Sequence, residues 1–181
     1  MKIDKAILVR LYSIYKMLGD DVDTITNQYK EYENKEIYTE EFLKNKENEK
    51  KSLLDARISQ HRRFIDEAVN VHISNNFAPN TKVIESLEYQ TRLNNILTLL
   101  NVSKGEINLS NLDFIVDARD SGTMEALRSA YPNTLTNWEI ENNPKYMSDA
   151  IISRAGTVKG AMEIDHISNQ MTRNAVLESL R

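Results

Sequence analysis

The chain contains no cysteine, which excludes disulfides, thiolate nucleophiles and cysteine-held zinc. Glycine and proline are scarce, five and three residues respectively. Val, Thr and aromatic residues never alternate with polar ones over a useful length, so helix is favoured over sheet. No apolar run approaches the ~20 residues needed to span a bilayer. The first residues, MKIDKAILVRLYSIYKMLGDD, lack the unbroken apolar centre and small-residue cleavage site of a secretory signal. The expectation is a protein that is neither secreted nor membrane-embedded, at work in a cytoplasm or in something assembled there.

A basic excess is missing too. Residues 1–50 carry 9 basic and 11 acidic side chains, residues 51–100 carry 6 and 5, residues 101–150 carry 4 and 8, and residues 151–181 carry 4 and 3. No block could neutralise a run of phosphates, which disfavours nucleic-acid binding. His61-Arg62-Arg63 is a local basic spot, but Asp55, Asp66 and Glu67 surround it.

What is present is helical periodicity. Residues 3–18 place Ile7, Leu8, Leu11, Tyr12, Ile14, Tyr15 and Leu18 on a broad apolar stripe, and Gly19-Asp20 reads as its stop. Asp20, Asp21 or Asp23 would cap a second helix carrying Val22, Ile25, Tyr29 and Tyr32. Thr39 reads as the N-cap of a long helix over about 40–75, some 50 Å at ~1.5 Å per residue. Glu40 and Glu41 suit the positive end of its dipole. Residues 44–51 are polar on every face, and Glu47–Lys51 is a candidate i,i+4 pair. Further along, Leu54, Ile58, His61, Ile65, Ala68 and His72 alternate spacings of four and three, a short heptad seam.

The stretch NNFAPNTK is the clearest break and divides the chain into an N-terminal region, 1–76, and a C-terminal region, 80–181. Val83, Leu87, Leu93, Ile96, Leu97 and Leu100 then mark the most apolar helix. Ser110 reads as a cap for NLDFIVDAR, and Asp120-Ser121-Gly122 leads to a short helix that Pro132 closes. NTLTNWEIENN reads as loop or short extended chain. Asn143-Pro144 reads as N-cap and first-turn proline of a C-terminal helix weakened around Gly156 and Gly160. Ile151, Ala155, Val158 and Met162 give a second four-three-four seam. The fold class expected is all-α: a long central helix, a coiled-coil-like segment and a smaller C-terminal bundle.

Candidate chemistry is thin. Glu163 and His166, three apart, match half of a carboxylate-bridged di-metal ligand set, but no second E-x-x-H exists, so a solvated polar face explains them. His61 and His72 lie three helical turns apart, about 16 Å, too far for one metal. They read as polar interruptions in a contact seam. Ser13 and Lys16 fit S-x-x-K without the partner motifs of acyl enzymes. AGTVKG lacks the spacing of a phosphate loop. In DARDSG, Asp120 or Ser121 acting as a helix cap accounts for the carboxylates. Tyr12, Tyr15, Tyr29, Tyr32 and Tyr38 crowd the first forty residues and read as packing groups. No catalytic residue, metal site or cofactor is expected.

The order of several segments resembles helical proteins of the head-assembly gene clusters of tailed phages of low-GC Gram-positive bacteria. The segments are IYTEEFLKNK at 37–46, the charged helix from Leu54 to Ala68, SLEYQ at 86–90 and EALRSA at 125–130. The resemblance spans residues 37–131. It implies a non-enzymatic assembly role, as scaffold or internal virion component, in a bacterial host cytoplasm or a virion. Scaffold proteins often end in a strongly basic helical tail, and here NQMTRNAVLESLR carries only Arg173 and Arg181.

The expected mechanism is helix docking onto protein partners: copies of the chain in a homo-oligomer, and a larger capsid or portal assembly. Leu54, Ile58, Ile65, Ile151, Val158 and Met162 are the expected contact residues. Another reading is an inhibitor of a host defence or regulatory protein, binding through an acidic surface that includes Asp113, Asp117 and Asp120. A third is a helical metalloenzyme using Glu163 and His166.

Overall fold

The seams written into the sequence become buried helix faces in a computed structural model, which describes residues 3–33, 37–78, 81–103, 117, 119–130 and 144–181. Among these residues every regular element is a helix, so the fold is all-α. The elements are α1 (Lys5–Tyr29) with a 3-10 turn (Lys30–Glu33), α2 (Glu40–Phe77), α3 (Thr81–Ile84), α4 (Leu87–Val102), α5 (Ser121–Ala130), α6 (Pro144–Gly160), α7 (Ile164–Ile167) and α8 (Gln170–Ser179). The segments around Ser110, Pro132, Trp138 and Asn143 lie outside the described residues.

The chain forms two compact units, and they do not follow chain order. One comprises residues 3–71 and 151–181, the other residues 1–2 and 72–150. The sequence places its division at 76–80, where Pro79 and Asn80 break the helical pattern. The units instead divide within α2 and within α6, because contacts between segments distant in sequence, not helix punctuation, decide which residues belong together.

In the unit formed by 3–71 and 151–181, α1 starts at Asp4, whose carboxylate accepts the Ala6 N–H at 2.8 Å. Its buried stripe of Ile7, Leu11, Ile14, Tyr15, Leu18, Val22 and Ile25 runs past Gly19 without a stop. The expected stop at Gly19-Asp20, with a new helix capped by Asp20, Asp21 or Asp23, is therefore corrected to one continuous helix. A mid-helix glycine costs about 1 kcal/mol relative to alanine, and burial of Val22 and Ile25 on the same face outweighs that. Gly19 also has a packing reason to be glycine. A Cβ there would stand 3.0 Å from Nη1 and 3.1 Å from Cδ of Arg173, whose Nη1 donates to the Gly19 carbonyl at 2.9 Å.

Thr39 caps α2 as expected, its hydroxyl oxygen accepting the Phe42 N–H at 3.3 Å. No residue of α2 before Leu54 is buried, in keeping with the polar first third, where Lys46 pairs with Glu49 at 2.8 Å. Leu54, Ile58, His61, Ile65, Ala68 and Val69 are buried. Asp21 of α1 meets His61 of α2 and ties the two helices together. Near the 3-10 turn, Tyr29, Tyr32, Tyr38 and Phe42 meet edge-on or stacked at centroid distances of 4.9 to 5.9 Å.

The C-terminal helices close this unit. Ile151, Ala155 and Val158 of α6, Met162, Ile167 of α7 and Leu180 are all buried. Helix α6 continues through Gly156 and ends at Gly160. Polar ties join it to the first helices: Tyr15 Oη donates to the Ala161 carbonyl at 3.3 Å, Arg62 to the Lys159 carbonyl at 3.3 Å, and Lys159 pairs with Asp66 at 2.6 Å. Asn169 caps α8, accepting from Met171 and Thr172 N–H groups at 2.9 and 3.2 Å.

In the other unit, Ser86 caps α4, whose buried face is Tyr89, Leu93, Ile96 and Leu100. Of the apolar residues expected to mark this helix, Val83 and Leu87 are exposed. Met124 and Leu127 of α5 are buried.

Candidate functional site

The six residues expected to contact a partner are Leu54, Ile58, Ile65, Ile151, Val158 and Met162. All are buried within residues 3–71 and 151–181 of the chain itself. The two seams are core, and their apolar area is already removed from water. Neither seam is free to contact another chain.

His61 is the buried polar residue of this core, 4 % exposed. Its Nε2 lies 3.0 Å from Asp21 Oδ2. A carboxylate only accepts, so Nε2 carries the proton. Arg57 Nε stands 4.0 Å from the same oxygen. His61 Nδ1 is enclosed without a hydrogen-bond partner, and the Phe64 ring meets the imidazole edge-on at 5.5 Å. General-base chemistry requires a ring nitrogen open to substrate. One nitrogen here is taken by Asp21 and the other is enclosed, so the pair ties α1 to α2. His72 is half-buried in the other unit, where Asn76 Nδ2 approaches its Nδ1 at 3.3 Å and donates to its carbonyl at 2.8 Å.

The remaining sequence candidates also have local structural uses. Glu163 stands outside α7 in extended conformation (φ −71°, ψ 149°), so it and His166 do not share a helix face, and both are exposed. Among the described residues no three His, Asp or Glu side chains gather as metal ligands. Ser13 donates back to the Val9 carbonyl at 3.0 Å, an ordinary intrahelical bond. Asp120 caps α5 through the Thr123 N–H at 3.1 Å and accepts from Tyr89 Oη at 3.0 Å. Asp117 is bound in two places by the Arg119 side chain, at 2.9 and 2.7 Å, which holds its carboxyl below the usual range. These two aspartates are engaged within the chain, which weakens the acidic-surface reading; Asp113 lies outside the described residues. Burial raises the Tyr89 phenol to about 12 and also raises that of Tyr15.

The feature that the sequence reading missed is an open groove of about 600 Å³ between α1 and α2. Val9 and Met17 of α1 and Phe64 of α2 line it with apolar surface, at 54 %, 49 % and 39 % exposure. Ala6 and Ser13 are small and leave the space open, with buried Ile14 beneath. Arg10 and Glu67, one from each helix, complete the lining. Exposed Leu53 and Val71 lie 11 residues before and 7 after Phe64, which puts them within about 20° of its direction on α2. This second apolar line beside the seam was readable as Leu53, Phe64 and Val71, but the stronger four-three pattern masks it.

Among the described residues no helix is long and apolar enough to cross a membrane. No family model, curated protein or solved structure matches the chain.

Proposed function

We propose that the chain is a non-enzymatic binding protein that contributes to a larger assembly by docking other protein chains against the outer face of α1 and α2. The observation that carries this reading is the groove bearing Val9, Met17 and Phe64, large apolar groups left in water while both sequence seams are buried. Helix-mediated association thus keeps its support with a different set of residues. The setting we propose, phage head formation as a scaffold or internal component, rests on the segment order of residues 37–131 alone.

The test is mass spectrometry of procapsids and mature particles purified from cells in which a phage carrying this chain replicates. Finding the chain in procapsids, and losing it when Phe64→Glu is introduced, supports the assembly role. Its absence from both particle types overturns the phage-head setting.

A further inference from the structure

We infer that the α1–α2 groove is a self-complementary surface that joins two copies of this chain about a two-fold axis. The inference rests on the binding role proposed above and names its partner. Arg10 of α1 and Glu67 of α2 line opposite sides of an otherwise uncharged groove. Neither side chain forms an ion pair or hydrogen bond among the described residues. An isologous interface brings the same patch of both copies together, so residue i meets residue j and j meets i. A two-fold axis across the groove sets Arg10 of each copy against Glu67 of the other, giving two opposite-charge contacts and no like-charge one. A partner carrying one sign of charge would satisfy one of these residues and be repelled by the other. The second copy fits both.

The apolar groups support the same occupant. Phe64 is partly exposed on the wall of a groove of about 600 Å³, and a two-fold axis seats the Phe64 of each copy in the groove of the other. Buried aromatic anchors carry most of the affinity in such contacts, while rim charges chiefly set register and partner choice. The arrangement removes Val9 and Met17 from water in both copies.

The experiment measures the mass of the full chain in solution by sedimentation equilibrium, for the wild type and for Arg10→Glu and Glu67→Arg variants. Circular dichroism and thermal unfolding confirm that each variant keeps its helices. The wild type is expected to dimerise at micromolar concentrations. Each single reversal creates two like-charge contacts and is expected to weaken the dimer by about tenfold or more. Mixing the two variants restores both ion pairs, so a one-to-one heterodimer should form as tightly as the wild-type dimer. A wild type that stays monomeric at 100 μM, on the order of a hundred times a micromolar Kd, overturns the inference. So does a pair of folded reversals that dimerise unchanged, or a mixture that fails to recover. If the wild type is monomeric but Phe64→Glu still removes the chain from particles, the groove holds another protein, and the assembly role survives without the dimer.

Discussion

Phe64 and Ile65 are neighbours in sequence and opposites in placement: Ile65 is 0 % exposed in the core, and Phe64 is 39 % exposed at the groove. One step along a helix turns a side chain by about 100°, enough here to separate a residue that folds the chain from one that faces its surroundings.

The two should respond differently to substitution. Ile65→Ala leaves a cavity in a fully enclosed site and is expected to cost about 2–4 kcal/mol of stability. Phe64→Ala should cost less, about 1–2 kcal/mol, because 39 % of the residue is already in water. Urea unfolding of both variants checks this, and equal losses would show that Phe64 is a core residue.

The tie between His61 and Asp21 predicts a loss on truncating the carboxylate. Asp21→Ala leaves both ring nitrogens of a buried imidazole without protein partners and is expected to cost about 1–2 kcal/mol, near the lower end of the range for an orphaned polar group because Asp21 is half-exposed. His61→Leu removes the enclosed Nδ1 along with the bond and should be the milder change. The reverse order in thermal melts would mean that the pair contributes little.

Gly19 and Arg173 form a cycle in which the sign of one substitution depends on the other. Arg173 binds Asp23 through both terminal nitrogens at 2.9 Å while lying against Gly19. With Arg173 in place, the gain in helix propensity from Gly19→Ala is offset by displacing the guanidinium arm. In an Arg173→Ala background the same change should stabilise by about 1 kcal/mol. Identical effects in both backgrounds would remove the packing explanation for this glycine.

Tyr89 gives a prediction on the alkaline side. Its phenol is pushed up from 10.0 to about 12, mainly by burial, with Asp120 adding to the rise. The folded value lies above the unfolded one, so the contribution is complete below pH 10 and is lost as pH climbs from 10 to 12. Tyr89→Phe removes that part of the alkaline loss, and phenolate absorbance of wild type and variant checks it. A Tyr89 that ionises near 10 would show that its hydroxyl is open to water.

The all-helical class, the start of α2 at Thr39 and both four-three seams were legible because helix burial leaves a periodic trace in sequence. The role of the seams was not. Leu54, Ile58, Ile65, Ile151, Val158 and Met162 look alike whether they face a second chain or the other end of their own, and only the packing of 151–181 onto 3–71 distinguishes the two. Gly19 misled for a related reason: local propensity marks a helix stop, while an arginine 154 positions away occupies the space a side chain would need. The groove went unread because Val9, Met17 and Phe64 come from two helices whose register nothing in the local pattern specifies.

The alliance of the first seventy residues with the last thirty has a consequence for biosynthesis. At about 5–20 residues per second of translation, roughly 4–16 s separate the making of Val71 from that of Ile151. During that interval Tyr15, Gly19 and Arg62 have been made but Ala161, Arg173 and Lys159, to which they bond, have not. Nascent α1 and α2 therefore expose the surface that these residues mark until the final helices arrive. A stop codon anywhere before α6 would leave that surface uncovered for the lifetime of the chain.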